Sequence, residues 1–159
     1  MEKPYVAEIR KRIGSDYLMV PGGRAILENG EGKVLLILRS DFHIWALPGG
    51  SPNIRESAED AIVREVREET GLILTEYEAI GFTSHADLEV VTYPNGDQVH
   101  GFALVLYAAK WQGELRVEST EILSAEFFDP EHLPEILPNE RRTVEKYLEF
   151  KRTGKFQVY

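Results

Sequence analysis

Three glutamates, Glu65, Glu68 and Glu69, lie near the middle of the sequence with the spacing i, i+3 and i+4. Residues with this spacing share one face of an α-helix, so the three carboxylates would meet on a single patch. Each like-charge pair destabilises a helix by about 0.2–0.5 kcal/mol in water, and by more where water is partly excluded. Glutamine would fit without this repulsion, whereas Mg²⁺ and Mn²⁺ prefer such oxygen ligands. The cluster therefore favours a divalent-metal site.

The helix that carries these glutamates is predicted to run from about Ser57 to Thr70. Ser57 can cap its first turn, with Asp60 as the capping-box partner, and Gly71 is the expected terminator. The apolar arc of its helical wheel, drawn at about 100° per residue, consists of Ala58, Ala61, Ile62 and Val66.

Glu65 and Glu69 project into this apolar arc, and Glu68 lies at its edge. Arg64 falls towards the opposite, solvent-facing side of the wheel. The alternative to a metal site is a charged helical face whose acidic and basic side chains form salt bridges with one another. The wheel alone leaves both interpretations open.

Short strands are predicted on both sides of this helix, which indicates an α/β layer protein. Turns rich in glycine and asparagine are predicted at 28–32 and 94–97. The predicted strands are 17–27, 33–39, 45–47, 72–83, 98–111 and 121–128.

A second helix is predicted from Asn139, as its cap, to Lys151. The first 16 residues are expected to form either an extra edge strand or an arm onto a partner subunit. The chain as a whole, 1–159, is expected to be one domain.

Composition narrows the function classes. The 159 residues have 43% hydrophobic and 28% charged content, as in a globular protein, and contain no cysteine for disulfides, thiolate sites or nucleophiles. The net charge of −9 disfavours stable nucleic-acid binding. No apolar run is long enough for a membrane span and no signal peptide is evident, so a cytoplasmic location is expected.

The segment from Gly50 to Leu72 reads GSPNIRESAEDAIVREVREETGL and resembles the Nudix box. The box is a glycine, five residues, a glutamate, seven residues, then Arg-Glu-apolar-any-Glu-Glu-any-Gly-apolar. Every fixed position is matched, namely Gly50, Glu56, Arg64, Glu65, Val66, Glu68, Glu69, Gly71 and Leu72. The resemblance implies the Nudix fold, a mixed sheet in an α/β/α sandwich with the box as loop-helix-loop.

The resemblance also implies an activity, the metal-dependent hydrolysis of a nucleoside diphosphate linked to another group. Mg²⁺ or Mn²⁺ would let an acidic pocket accept a diphosphate. The metal ligands that it implies are Glu56, Glu65, Glu68, Glu69 and the carbonyl of Gly49. Arg64 is expected to orient the glutamates and to tie down the loop, and Glu65 and Glu68 are the box residues expected to take part in catalysis.

Two loop positions depart from a common family pattern, which has an acidic residue three positions after the box glycine and a glycine before the first box glutamate. Here these positions hold Asn53 and Arg55, and Pro52 precedes them. Arg55 is either a phosphate contact or a solvated loop residue.

Further site residues are expected outside the helix. Glu121 is the candidate for an additional base or metal ligand, and Glu118 is the second candidate. Arg39 and the backbone at Gly50 are expected to contact the substrate, with Arg39 as a bidentate phosphate donor. Four aromatic side chains could either stack on a nucleobase or belong to the core, namely Trp45, Phe82, Tyr93 and Phe102. His85 and His100 are either structural, hydrogen-bonded residues or a base, and the structural role is favoured.

The substrate class stays open between a nucleoside triphosphate, ADP-ribose or another nucleoside diphosphate sugar, and a dinucleoside polyphosphate, with RNA cap removal less favoured. The alternative function is a non-catalytic Nudix-fold module that senses a nucleotide or binds a partner. A homodimer is compatible with the resemblance.

Overall fold

The computed structural model describes residues 5–117 and 119–159, in which the chain forms three helices and nine strands. The helices are α1 (Tyr5–Ile13), α2 (Ala58–Thr70) and α3 (Pro138–Thr153). The strands are β1 (Leu18–Leu27), β2 (Val34–Arg39), β3 (Trp45–Ala46), β4 (Gly49–Gly50), β5 (Ile73–Thr83), β6 (Val90–Thr92), β7 (Gln98–Gln112), β8 (Ile122–Phe128) and β9 (Gln157–Val158).

The larger sheet is mixed and has the order β4-β1-β7-β5-β9, with β6 paired to β7. Strand β7 is central, because it pairs in parallel with β1 and antiparallel with β5. A smaller sheet has the order β3-β2-β8. Strand β8 therefore lies beside β2, far from it in sequence, and this pairing brings the start of β8 close to the end of β2.

Alternate residues of β1 face two separate hydrophobic cores, as the two-residue period of a strand requires. Ala25 and Leu27 are buried against Ile62 of α2, whereas Ile26 is buried with Tyr147 of α3. Helices thus cover both faces of the sheet. The predicted α/β/α sandwich with a mixed sheet is confirmed.

Helix α2 has the predicted caps at both ends. The Ser57 hydroxyl accepts a hydrogen bond from the Asp60 N–H at 3.0 Å. At the other end Gly71 has φ 74° and its N–H donates to the Arg67 carbonyl at 2.9 Å. These caps fix the length of α2 and hence the register of its glutamates.

The six predicted strands are all present, with bounds that differ by one residue at most. The predicted turns are also present: the Gly32 N–H bonds to the Asn29 carbonyl, and the Tyr93 N–H bonds to the Asp97 carbonyl. Strands β4, β6 and β9 were not predicted, because two or three residues are too few to show an alternating pattern.

The prediction for the N-terminal segment was wrong in one respect, because residues 5–13 form a helix and not an edge strand. Tyr5, Ile9 and Ile13 recur every four residues, which is a helical period. The role of Asn139 was also wrong: α3 begins at Pro138 after Leu137, and Asn139 is a buried residue whose side-chain amide donates to Glu89.

In the described part of the chain, none of the helices combines the length and the apolar character that a membrane span requires.

Candidate active site

Two adjacent glycines bring the backbone up to the glutamates of α2. Gly49 and Gly50 form β4, which pairs with Gly23 and Arg24 of β1. A Cβ atom on Gly50 would lie 2.6 Å from Oε1 of Glu65, and one on Gly49 would lie 2.2 Å from the Gly23 carbonyl oxygen. A side chain at Gly49 would collide with the backbone of β1, and one at Gly50 would displace the Glu65 side chain from its present position.

Arg64 holds three acidic side chains at once. Its Nε and Nη2 donate to the two carboxylate oxygens of Glu56 at 2.8 and 2.9 Å. Its Nη1 donates to Glu65 at 2.9 Å and to Glu68 at 3.1 Å, and Nη2 also reaches the Ser51 carbonyl at 3.2 Å. These bonds tie the loop before α2 to the helix. The wheel position of Arg64 was misleading, because its long side chain extends across the helix to the carboxylates.

The same network sets the charge of Glu56. The hydrogen bonds from Arg64 lower the pKa of Glu56, so its carboxylate stays ionised. The Asn53 N–H also donates to it at 2.8 Å. The backbone of Asn53 thus helps to fix the loop. This contact does not depend on an acidic side chain at position 53, which the sequence lacks.

Glu69 is the most deeply buried acidic side chain of the cluster, with 7% of its surface exposed. Its Oε2 accepts a hydrogen bond from the Gly49 N–H at 3.0 Å. Burial raises the pKa of Glu69 to about 8, the bond from Gly49 opposes this shift, and the charge of Glu65 adds to it. Burial also raises the pKa of Glu65, although Arg64 opposes that shift.

Glu121 lies beside these carboxylates although it is distant in sequence. It immediately precedes β8, and its carbonyl accepts a hydrogen bond from the Ser40 N–H at 2.8 Å, just after β2. Its charge acts to raise the pKa of both Glu65 and Glu69, which shows that it is close to them. Glu118, the second candidate, lies outside the described residues.

The carboxylates open into a cleft of about 510 Å³, which we call the carboxylate cleft. It is lined by Tyr5, Val6, Val20, Ser51, Pro52, Asn53, Arg64, Glu65, Glu68, Tyr93, Asp97, Val99 and Glu121. Its lining combines the acids Glu65, Glu68, Asp97 and Glu121 with apolar and aromatic side chains, among them Val6, Tyr5 and Tyr93. This combination suits a ligand that has a charged part, bound through cations, and an apolar ring.

A second, smaller cleft of about 150 Å³ adjoins the first and shares Val20, Ser51, Tyr93 and Val99 with it. Its lining includes Gly49 and Gly50, the buried Glu89 and Glu140, and Arg39. Arg39 is held there by two hydrogen bonds to Asp41, at 2.6 and 2.9 Å.

The donors of the cluster fit a hard divalent cation in kind, because Glu65, Glu68, Glu69 and Glu121 offer only carboxylate oxygens. In residues 5–117 and 119–159, no three acidic or imidazole side chains converge closely enough to hold one ion. The cause is local, since Arg64 holds Glu65 and Glu68.

A model of the NUDIX domain family matches residues 20–148, which covers α2, both sheets and most of α3. The chain belongs to the Nudix hydrolase family.

Two curated relatives and one solved structure are similar over most of the chain. The ADP-ribose pyrophosphatase of Methanocaldococcus jannaschii is 33% identical over 124 residues, which cover 76% of this chain and 69% of the relative. A Bacillus subtilis protein, provisionally assigned as an 8-oxo-dGTP diphosphatase, is 30% identical over 127 residues, covering 79% and 78%. The MutT NUDIX hydrolase of Burkholderia pseudomallei has a TM-score of 0.68 and 28% identity, covering 80% and 97%.

Several other side chains that the sequence singled out have structural contacts. Trp45 packs edge-on against Phe128 with ring centres 4.7 Å apart. His100 contacts the Ser84 carbonyl at 2.9 Å and packs against Phe102. Tyr93, by contrast, lines both clefts.

The remaining predicted positions are more peripheral to the clefts. Phe82 and His85 are not among the residues that line the carboxylate cleft, and His85 is exposed. Arg55 is exposed on the loop before α2, with φ 69°.

Sequence reasoning missed two groups of residues at this Nudix site. Tyr5 and Val6 reach the carboxylate cleft from α1, and the four-residue apolar spacing of that segment was the available signal. Glu89 and Glu140 reach the smaller cleft as buried acids. No local pattern identifies them, because each is placed by its contact with Arg24 of β1, which is distant from both in sequence.

Proposed function

We propose that this protein is a divalent-metal-dependent hydrolase that cleaves the pyrophosphate linkage of a nucleoside diphosphate joined to another moiety. The substrate is a nucleoside triphosphate or a compound of the ADP-ribose type. The observation that carries the proposal is that Glu65, Glu68 and Glu121 line one nucleotide-sized cleft, while the buried Glu69 of the same helix lies within electrostatic reach of Glu65 and Glu121. The relatives named ADP-ribose pyrophosphatase and 8-oxo-dGTP diphosphatase support both substrate types.

The chain's own residues have three tasks in this reaction. Glu65, Glu68 and Glu69, with Glu56 and the Gly49 carbonyl, are the proposed metal ligands. Arg64 orients Glu56, Glu65 and Glu68 through four hydrogen bonds. Supporting residues of this kind fix the geometry of ligands and affect both metal affinity and activity.

Proton transfer from the attacking water needs a base that faces the cleft. Glu121 and Glu68 are the proposed candidates, because both line the cleft and are exposed to solvent there. Arg39 and the Gly50 backbone are the proposed contacts for the substrate's phosphates. Nε and Nη2 of Arg39 donate to Asp41, so Nη1 and the second N–H of Nη2 are the donors with which Arg39 would contact a phosphate.

Nudix hydrolases in general use divalent cations, and Mg²⁺ or Mn²⁺ is the proposed cation for this oxygen-only donor set. When bound, such a cation would neutralise the phosphate charge and lower the pKa of water.

A sequence variant of the metal site tests the proposal. We expect Glu69→Gln to lower kcat/KM with Mg²⁺ by more than about a hundredfold, since even the loss of a supporting residue lowers activity 10–100-fold. The fold should persist, because the amide oxygen of glutamine can still accept the Gly49 N–H. Steady-state kinetics on ADP-ribose and a panel of nucleoside triphosphates, together with thermal unfolding, would measure both effects.

Glu59→Gln is the matched control, because Glu59 is an exposed acid on the same helix. It should retain the wild-type rate. A Glu69→Gln variant that hydrolysed nucleotides at the wild-type rate would show that the proposed metal site is wrong.

The second candidate function is nucleotide sensing without turnover. Tight binding of ADP-ribose or a nucleoside triphosphate, with no phosphate-containing product after long incubation with Mg²⁺ or Mn²⁺, would indicate sensing and not hydrolysis. The intact set of box carboxylates favours hydrolysis over sensing.

A further inference from the structure

Helix α1 lies outside the part of the chain that the family match covers, yet it forms a wall of the carboxylate cleft. The match begins at residue 20, whereas α1 spans Tyr5–Ile13. Tyr5 and Val6 line the same cleft as Glu65, Glu68 and Glu121. The first turn of this helix therefore contributes side chains to the same cleft as the proposed metal ligands Glu65 and Glu68.

Arg10 attaches α1 to the rest of the molecule. Its guanidinium donates to the carbonyl oxygens of Gly14 and Asp16 in the following turn and to that of Gln98, at 2.8 Å, in β7. Its Nε also lies 3.4 Å from a carboxylate oxygen of Asp97, which itself lines the cleft. The Arg10 side chain is only 13% exposed.

These contacts matter because α1 has no other deep anchor. No residue of α1 is buried. A helix of nine residues without a buried face is only marginally stable by itself. Arg10 and the apolar contacts at the cleft therefore set where α1 lies.

The lining of the cleft offers two kinds of contact. Glu65, Glu68 and Glu121 are the acids at which the diphosphate would be bound through cations. The cleft also has two tyrosines, Tyr5 and Tyr93, and apolar side chains of α1, β1 and β7. A planar base stacks favourably on aromatic rings, by an amount equivalent to about tenfold or more in affinity per base.

We propose that α1 belongs to the substrate site, with Tyr5 and Val6 contacting the nucleoside part of the substrate and Arg10 positioning the helix. The proposal rests on the proposed function, since it assumes that a nucleoside diphosphate binds at the carboxylates. It assigns substrate selection partly to a segment outside the family match.

The first test is steady-state kinetics on Tyr5→Ala with ADP-ribose and GTP. We expect KM to rise about tenfold for at least one of the two nucleotides, with kcat changed less than about twofold. The inhibition constant of inorganic pyrophosphate with Mg²⁺ should not change, because pyrophosphate has no nucleoside part. Tyr5→Phe should restore the wild-type KM, since it retains the ring.

Tyr77→Ala is the matched control. Tyr77 is 38% exposed, as is Tyr5, but it lies on β5 and does not line the cleft. Tyr77→Ala should leave the KM for ADP-ribose, the KM for GTP and the inhibition constant of pyrophosphate unchanged.

The second test concerns Arg10 as a positioning residue. Arg10→Ala should raise the KM that Tyr5→Ala raises, and should leave the inhibition constant of pyrophosphate unchanged. Arg12→Ala, an exposed change on the same helix, should not raise this KM. If KM and the pyrophosphate constant rose together with a lower Tm, α1 would have a purely structural role and the proposal would be overturned.

Binding of α,β-methylene analogues of ATP and GTP separates failure of this inference from failure of the proposed function. A wild-type protein that turns over no nucleotide contradicts the proposed function alone, and weaker binding of an analogue to Tyr5→Ala would still support the role of α1. Unchanged KM and unchanged analogue affinity in Tyr5→Ala would overturn that role, and would place the nucleoside elsewhere, with the smaller cleft as the alternative.

Discussion

At the scale of single residues, the site depends on how one arginine is shared among acids. Arg64 makes bidentate hydrogen bonds to Glu56 and one hydrogen bond each to Glu65 and Glu68. The hydrogen bonds to Glu56, and then those to Glu65, raise the pKa of Arg64, so the guanidinium remains charged. Arg64 thus stabilises neighbouring carboxylates that would otherwise repel one another in the absence of a cation.

Arg64→Lys tests this role while keeping the positive charge. An ammonium group cannot reproduce the planar fork that binds both oxygens of Glu56 and also reaches two other acids. We expect kcat/KM to fall by about 10–100-fold and the Mg²⁺ concentration for half-maximal activity to rise. Metal titrations of the hydrolysis rate would measure both quantities.

Arg67→Lys provides the comparison, since Arg67 is exposed on the same helix. An Arg64→Lys protein with an unaltered metal requirement would mean that the charge of residue 64 suffices and its geometry does not matter.

At the scale of elements, the end of α2 is constrained more tightly than the end of α3. Both helices are followed by a left-handed glycine, Gly71 with φ 74° and Gly154 with φ 66°. A Cβ on Gly71 would lie 2.7 Å from Cγ of Arg116 and 2.9 Å from the Glu114 carbonyl oxygen, whereas one on Gly154 would meet nothing within 4 Å.

Replacement of each glycine by alanine separates backbone strain from steric conflict. Gly154→Ala should lower the free energy of unfolding by about 1–2 kcal/mol, the cost of a left-handed alanine. Gly71→Ala should lower it by about 1–3 kcal/mol more, because the segment around Arg116 must also move. Urea unfolding of the two variants measures the difference, and equal losses would contradict the predicted conflict at Gly71.

Two elements that sequence periodicity missed, β4 and α1, contrast with α2, which it predicted. Strand β4 is two glycines, which have no side chains to form a pattern, and its pairing with β1 is decided by the sheet. Helix α1 has an apolar four-residue spacing, but it is short and follows a segment that also fits an arm. Helix α2 was predicted well because caps, wheel and motif all agree on it.

At the scale of the whole molecule, a buried polar cluster joins β1, the start of β6 and α3. Arg24 donates to Glu89 at 2.7 Å and to the Thr143 hydroxyl at 3.0 Å. Glu89 in turn accepts from Thr83 and is 2% exposed. Glu140 lies nearby, 3.9 Å from Arg24, and accepts the Leu47 N–H. This cluster forms the floor of the smaller cleft.

The buried acid in this cluster predicts a pH dependence of stability. Burial raises the pKa of Glu140 above its ordinary value of 4.5, and Arg24 opposes only part of the shift. Between pH 4.5 and the raised pKa, the Glu140 carboxyl is protonated in the folded protein but ionised in the unfolded chain. The contribution to the free energy of unfolding is therefore full below pH 4.5 and is lost as the pH rises through the raised pKa.

Glu140→Gln should reduce this slope without abolishing it, because glutamine does not titrate, whereas Glu69, whose pKa burial also raises, still does. Urea unfolding between about pH 4.5 and 8 would measure the slope for Glu140→Gln and for the control Glu145→Gln. Glu145 is an exposed acid on the same helix, so Glu145→Gln should keep the wild-type slope. Parallel curves for wild type and Glu140→Gln would show that Glu140 titrates normally in the folded protein.

The sequence by itself determined the helix of the box, its caps, the order of its carboxylates and the family, because these depend on local spacing and on a contiguous motif. It also favoured Glu121 as a partner of the cluster, but only the pairing of β8 with β2 brings that residue to Glu65 and Glu69. The burial of Glu69 against Gly49, the reach of Arg64 and the placing of α1 over the cleft were decided by tertiary structure. These contacts join residues from separate elements, and their geometry follows from how the layers pack rather than from any short stretch of chain.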